Sequence, residues 1–133
     1  MAIARGTWGN YRLSGQKAFA RVFAGRHSAA NSCIVIYALP NGLPLTRMGL
    51  SVSRKCGNAV VRNRLKRWLR EAFRANYDEI PNGFDLVCIP RPGGLRGLED
   101  GCRSLASVAM RAVKRFETSQ QRRNDARNNT GHQ

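Results

Sequence analysis

The hydrophobic positions along the chain fall into segments of helical spacing and segments of extended spacing. Phe19, Val22 and Phe23 recur at helical spacing after Ser14, which predicts a helix to about residue 25 with that serine as its N-cap. β-Branched or alternating apolar runs predict strands at 33–39, 47–53 and 84–89, with a weaker signal at 27–31. Helical spacing returns over 58–76 and 99–116. Together the segments predict an α+β fold, in which helices pack against a mixed sheet.

Both ends of the chain lack this pattern. In residues 117–133 the only apolar side chain is that of Ala126, so this segment cannot bury enough surface to offset the entropy lost on ordering. A length of 133 residues suits one domain. We therefore expect a single domain over 11–116, a flexible segment over 1–10 and a disordered polar tail over 117–133.

The charge of the chain is strongly one-sided. Lysine and arginine total 23 against 8 aspartates and glutamates, which gives a formal net charge of +15. Such a surface favours a polyanionic partner. Only four of the basic residues are lysines. Because the guanidinium of arginine grips phosphate with a planar fork and stacks on bases, this ratio favours nucleic acid over a membrane surface.

The residue types that carry hydrolytic or metal chemistry are few and scattered. The four cysteines stand at 33, 56, 88 and 102, and the two histidines at 27 and 132. Zinc needs clustered ligands, and two-metal phosphodiester cleavage needs convergent carboxylates. We therefore expect neither a catalytic residue nor a metal site on this chain. With no apolar run of ~20 residues and no signal-peptide pattern, we expect a cytoplasmic protein without a membrane partner.

The predicted helix at 58–76 has two chemically opposite faces. At about 100° per residue, Leu65 and Leu69 fall on an apolar face. The opposite face carries a set of residues that we call the basic stripe: Asn63, Lys66, Arg67, Arg70 and Arg74. Like charges three or four residues apart each cost ~0.2–0.5 kcal/mol, and Glu71 is the only acid between Arg54 and Arg74. An ordinary solvated face mixes signs, so the stripe predicts contact with a phosphate backbone.

The segment that leads into this helix has a distinctive order. It reads Ser51-Val-Ser-Arg-Lys-Cys-Gly-Asn-Ala-Val-Val-Arg-Asn-Arg-Leu-Lys-Arg-Trp-Leu-Arg70. Gly57 permits a tight turn and Asn58 is a favourable N-cap. The segment resembles the signature of the bacterial ribonuclease P protein family, called the RNR motif after Arg62-Asn63-Arg64. The resemblance extends over about residues 11–116.

The resemblance implies a fold and a function. The fold is a two-layer α/β sandwich of order αβββαβα, with a mixed sheet and a left-handed βαβ crossover (ribosomal protein S5 domain 2-like). The implied function is that of the protein subunit of ribonuclease P, whose catalytic RNA removes the 5′ leader of precursor tRNA. Its partners would be that RNA and the precursor tRNA, with Mg²⁺ held mainly by RNA. The chain alone is not expected to be catalytic, and no protein partner can be inferred.

The resemblance also assigns two surfaces. The catalytic RNA would be bound by Arg54, Lys55, Asn58, Arg62, Asn63, Arg64, Lys66, Arg67 and Arg70. The single-stranded leader would lie between the first helix and the sheet, against Phe19, Phe23, Tyr37, Ser51 and Lys55. The spacing of Phe19 and Phe23 by itself favours core positions, so their exposure stays open.

Other functions are also compatible with the composition. The main alternative is a ribosomal protein or RNA chaperone with no enzymatic role, which would need a basic surface of the same kind. A DNA-binding helix-turn-helix protein is less favoured, because the long predicted helix is flanked by strands.

Overall fold

The computed structural model describes residues 8–130, and their side chains through residue 128. Within residues 8–130, four helices and four strands follow one another. The helices are α1 (Trp8–Tyr11), α2 (Gln16–Ala24), α3 (Ala59–Asn76) and α4 (Leu98–Thr130). The strands are β1 (Ser28–Ala30), β2 (Ile34–Pro40), β3 (Arg47–Leu50) and β4 (Phe84–Pro90). Apart from the single turn of α1 and two short 3-10 turns, this is the predicted order αβββαβα.

The strands form one mixed sheet in the order β1-β2-β4-β3. The β1–β2 and β2–β4 pairs are antiparallel, whereas β3 and β4 are parallel. Parallel neighbours need a crossover connection, and α3 supplies it. The α+β class and the mixed sheet are therefore confirmed, while the left-handed sense of the crossover stays a prediction.

The main core lies between one face of the sheet and helices α3 and α4. Ile36 and Leu86 are fully buried on the sheet side, and Phe73 and Leu105 are fully buried on the helix side. This follows from the alternation of strand side chains and the apolar face of α3. Trp68 of α3 is half-buried against this cluster.

Helix α2 packs on the opposite face of the sheet. Its Val22 is fully buried together with Val87 of β4 and Leu13, which precedes the helix. Strand β4 is covered on both faces, which is why its side chains are buried almost without interruption. The predicted Ser14 cap is wrong, because the N-cap position belongs to Gly15 at φ 98° and no side chain caps the helix.

The chain ends differ from the sequence-based expectation. Of the segment predicted to be flexible, residues 1–7 lie outside the described residues, but Trp8 is ordered against Phe73, with ring centroids 5.6 Å apart. The tail predicted to be disordered instead continues α4 to Thr130, and residues 131–133 lie outside the description. A helix already nucleated by a packed segment extends at little cost through favourable residues such as Arg, Gln and Ala. Within residues 8–130, no helix has the length and apolar character needed to span a membrane.

Candidate nucleic-acid interface

The turn before α3 is built by a glycine and an asparagine. Gly57 adopts φ +139°, and an added Cβ would lie 3.0 Å from Cβ of Val61. A larger residue is therefore disfavoured both by the backbone conformation and by this contact. Asn58 accepts a hydrogen bond from the Val61 backbone N–H at 3.0 Å, which confirms the predicted N-cap. Its side-chain oxygen therefore has a structural role that is separate from the expected RNA contact.

The nine residues predicted to bind the catalytic RNA lie on this turn and on α3. Six of them are exposed: Arg54, Lys55, Asn58, Asn63, Arg64 and Arg67. Arg62, Lys66 and Arg70 are half-buried along one side of the helix. Arg21 and Arg47 pair with Asp85, and Arg103 pairs with Asp100, so these three ion pairs involve none of the nine residues. The basic surface of α3 thus keeps its charge available for an external anion.

The structure divides the basic stripe into two sides. An open groove on the outer side of α3 is bordered by Asn63 and Arg67 of the stripe, and by Val60 and Arg64 beside them. Lys66 instead faces a cleft of about 200 Å³ at the outer edge of β3. Arg70 borders both, so the basic surface continues from the outer groove into this β3-edge cleft.

The β3-edge cleft also receives residues from the other side of the sheet. The segment before α2 runs alongside β3, with the Leu13 backbone N–H donating to the Met48 carbonyl at 3.1 Å. Arg12 and Phe19 line the same cleft as Lys66 and Arg70. Phe19 therefore meets Lys66 and Arg70 at this edge, although the resemblance assigned them to two separate surfaces.

Three of the predicted leader contacts form a continuous aromatic row, Phe19, Phe23 and Tyr37. The centroids of Phe19 and Phe23 are 6.5 Å apart, and those of Phe23 and Tyr37 are 4.9 Å apart, both edge-to-face. All three side chains are half-buried against the cluster of Val22 and Val87. Phe19 and Phe23 also line an apolar surface groove along α2. Phe19 and Phe23 therefore pack partly against the core and lie partly at the surface groove.

The remaining leader candidates lie after β3. The backbone N–H of Ser51 donates to the Cys88 carbonyl at 3.0 Å, which places Ser51 half-buried at the end of the ladder. By strand alternation it shares the α2 side of the sheet with Gly49. Lys55 is exposed in the following turn. Their contact with a leader therefore stays a prediction.

Gly49 is a residue whose importance the sequence analysis missed. An added Cβ would lie 2.5 Å from the ring of Phe19 and 2.9 Å from the Leu13 carbonyl oxygen. The phenylalanine ring therefore rests directly on the backbone of β3. A glycine inside an alternating strand is the signal for such a close approach.

A buried charged network that the sequence analysis also missed fixes α2 to the sheet. Asp85 of β4 is fully buried and accepts hydrogen bonds from Arg47 Nε and Nη2, both at 2.8 Å. Arg21 of α2 donates to the same carboxylate at 2.5 Å, and Asn41 donates at 3.0 Å. The hydrogen bond from Arg47 raises the pKa of that guanidinium. A lone aspartate within an apolar strand is the available sequence signal, since a buried charge must be paired.

The described residues offer little for metal or thiol chemistry. Within residues 8–130, no three or more His, Cys, Asp and Glu side chains cluster where they could hold an ion. Burial raises the pKa of the Cys88 thiol far above its usual range. That thiol therefore stays protonated and unreactive at neutral pH.

Comparison with known proteins identifies the family of the chain. The family model described as Ribonuclease P matches residues 9–112, which is more than half of the chain. The ribonuclease P protein component of Brevibacillus brevis is 49% identical over 85 residues, covering 63% of this chain and 68% of the relative. That of Thermotoga maritima is 46% identical over 80 residues, covering 60% and 68%.

Solved structures give the same result. The ribonuclease P protein of Staphylococcus aureus aligns with a TM-score of 0.68 at 34% identity, covering 80% of this chain and 97% of that one. The Thermotoga maritima protein aligns with a TM-score of 0.59 at 44% identity, covering 62% and 74%. This chain therefore belongs to the ribonuclease P protein family.

Proposed function

We propose that this chain is the protein subunit of ribonuclease P and that it binds both the catalytic RNA and the 5′ leader of precursor tRNA in the cytoplasm. The observation that carries the proposal is the β3-edge cleft, where Phe19 of the aromatic row lies beside Lys66 and Arg70 of the basic stripe. A leader stacked on the row would thus continue directly toward an RNA bound at α3. Family membership favours this function over that of a ribosomal protein or RNA chaperone.

The catalytic RNA would bind the turn before α3 and the exposed side of that helix. Among residues 8–130, no carboxylate forms an ion pair with the guanidinium groups there, so they can exchange counterions for phosphates. The amides in the first turn of α3 add partial positive charge beside them. Contacts of this type fix the position of an RNA and carry no sequence information.

The leader would bind the aromatic row. Base stacking on an aromatic side chain contributes ~1–3 kcal/mol per base and accepts any base, which suits an enzyme that handles many leaders. Ser51 and Lys55 follow β3 in the segment that leads into α3, and their hydroxyl and ammonium groups would contact the leader backbone.

The chemistry would belong to the RNA partner. Hydrolysis at the leader junction releases the leader and leaves a 5′ phosphate on the tRNA. Mg²⁺ would be held mainly by RNA, as membership of the family implies. The role of this chain is then to bring the substrate and the catalytic RNA together.

Sequencing of the RNA that copurifies with the tagged chain tests the proposal as a whole. We expect enrichment of one structured non-coding RNA, which should cleave precursor tRNA when reconstituted with the chain and Mg²⁺. Recovery of mainly ribosomal RNA would contradict the proposal and support the alternative.

Two variants test the two surfaces. Replacing Arg67 and Arg70 by alanine should reduce the slope of log affinity against log salt by about 1.4–1.8, the contribution of two phosphate contacts. Phe19→Ala should weaken binding of precursor with a leader more than binding of mature tRNA. A large fall in melting temperature without a leader-specific effect would instead assign Phe19 to the core.

A further inference from the structure

The C-terminal half of α4 has a basic surface that the proposed function leaves unused. The family model ends at residue 112, whereas α4 continues to Thr130. A shallow open groove of about 440 Å³ begins just before this extension and runs along it, lined by Arg111, Lys114, Arg115, Thr118, Ser119 and Arg122. We refer to it as the α4 groove. Its lining consists of four cationic and two hydroxyl side chains.

The groove lies at the opposite edge of the sheet from the β3-edge cleft. Two of its arginines contact β1, the other edge strand in the order β1-β2-β4-β3. Arg111 Nη2 donates to the Ala30 carbonyl at 2.9 Å, and Arg115 Nη1 donates to the Ser28 carbonyl at 2.7 Å. An RNA segment at the α4 groove would therefore be distinct from a segment bound at α3.

These two hydrogen bonds have a structural and a functional consequence. They satisfy carbonyls of a free sheet edge, which would otherwise be open to pairing with another strand. Each hydrogen bond also holds its guanidinium in place while using only one of five N–H donors, so the other donors remain for a ligand. Capping of the β1 edge explains the presence of Arg111 and Arg115, but it does not explain the basic side chains of Lys114 and Arg122.

The charge along the groove is uniform over its length. Arg111, Lys114, Arg115 and Arg122 span about 16 Å of helix on one side. Glu117 projects to the other side of α4 by helical spacing. Asp125 follows one turn beyond the groove and accepts a hydrogen bond from Gln121 at 3.0 Å. The groove therefore presents four positive charges with no carboxylate between them.

We propose that the α4 groove is a second binding surface for an RNA phosphate backbone. Arginine-rich positive charge with hydroxyl donors matches phosphate oxygens. A membrane-binding helix would need large apolar side chains beside its basic face, and the groove has none. The bound backbone belongs either to the catalytic RNA or to the body of precursor tRNA. This inference rests on the proposed function, because both candidates are its partners.

The test compares two double variants that remove the same charge. The groove variant is Lys114→Gln with Arg122→Gln, which leaves the two β1-capping arginines intact. The control variant is Arg96→Gln with Arg123→Gln, two exposed arginines outside the groove. Circular dichroism should give both variants the melting temperature of the wild-type chain within a few degrees.

Affinity is then measured as a function of salt concentration in two binding experiments. The first measures binding of the chain alone to the catalytic RNA, and the second measures binding of the assembled holoenzyme to precursor tRNA. The catalytic RNA is the first arm of this experiment and precursor tRNA is the second. In one of the two arms, the groove variant should reduce the slope of log affinity against log salt concentration by about 1.4–1.8, while the control variant keeps the wild-type slope. A change in the first arm assigns the backbone to the catalytic RNA, and a change only in the second assigns it to precursor tRNA. Equal slopes for the groove and control variants in both arms would overturn the inference.

The same measurements separate this inference from the proposed function. If the wild-type chain binds the catalytic RNA and the groove variant behaves like the control, only the α4 groove is refuted. If the wild-type chain shows no preference for that RNA over ribosomal RNA, the proposed function fails and the inference fails with it.

Discussion

The buried network around Asp85 allows a quantitative prediction for the substitution Asp85→Asn. One carboxylate oxygen accepts from Arg47 Nε and Asn41, and the other accepts from Arg47 Nη2 and Arg21. An asparagine can keep one oxygen acceptor, but its NH₂ group would then face two guanidinium donors. The substitution therefore removes two charge-assisted hydrogen bonds and leaves two adjacent cations without their counterion.

The magnitude depends on how far the two arginines can reach water. Removing one partner of a fully buried ion pair costs ~3–5 kcal/mol. The side chains of Arg21 and Arg47 are 47% and 31% exposed, whereas that of Asp85 is 0% exposed. Hydration of the freed guanidinium groups reduces the penalty to about 2–3 kcal/mol. For a domain of this size that loss corresponds to a fall of about 10 °C in melting temperature.

The assay is thermal and urea unfolding followed by circular dichroism. Glu79→Gln, at an exposed carboxylate, is the matched control and should leave the melting temperature unchanged. Arg21→Ala should cost only about 1 kcal/mol, because Arg47 still neutralises the buried carboxylate. It should nevertheless weaken leader binding, since it removes one of the contacts that hold α2, and with it Phe19, against the sheet. A melting temperature for Asp85→Asn within 2 °C of the control would refute this reasoning.

Three further predictions follow from local geometry. Gly49→Ala should destabilise the chain by about 1–3 kcal/mol through overlap with Phe19. In the double variant with Phe19→Ala, urea unfolding should give a cost well below the sum of the single costs, and additive costs would contradict the contact. Asn58→Ala should lower the free energy of unfolding by about 0.5–2 kcal/mol, because the N–H of Val61 loses its acceptor. Finally, stability should fall as pH rises above ~8.5, because only the unfolded chain can ionise the Cys88 thiol there.

Controls for these predictions use nearby positions. For the cap, Asn63→Ala changes an exposed asparagine within the same helix and should leave the unfolding free energy nearly unchanged. For the thiol, burial raises the folded-state pKa, so its contribution is complete below the unfolded pKa and declines above it. In Cys88→Ala the fall of melting temperature between pH 8.5 and 10 should be shallower than in the wild-type chain. Identical pH profiles would exclude this thiol as the cause.

Periodicity and motif order were sufficient to predict much of this protein. The order αβββαβα, the apolar and basic faces of α3, and the Asn58 cap all depend on residues close together in sequence. The spacing of side chains along one helix or strand determines these features, whatever the rest of the chain does. The dense RNR motif likewise identified the family from about 20 consecutive residues.

The tertiary structure decided the features that depend on distant residues. Arg21 and Asp85 are 64 positions apart, so no local pattern could pair them. Phe19 and Phe23 have the spacing of a core helix, and only the packing of α2 on the sheet shows that their rings are half-buried and reach a surface groove. The continuation of α4 through a polar segment depends on the packed turns before it. Sequence thus determined which surfaces have which chemistry, while long-range packing decided that the basic stripe and the aromatic row meet at the β3 edge.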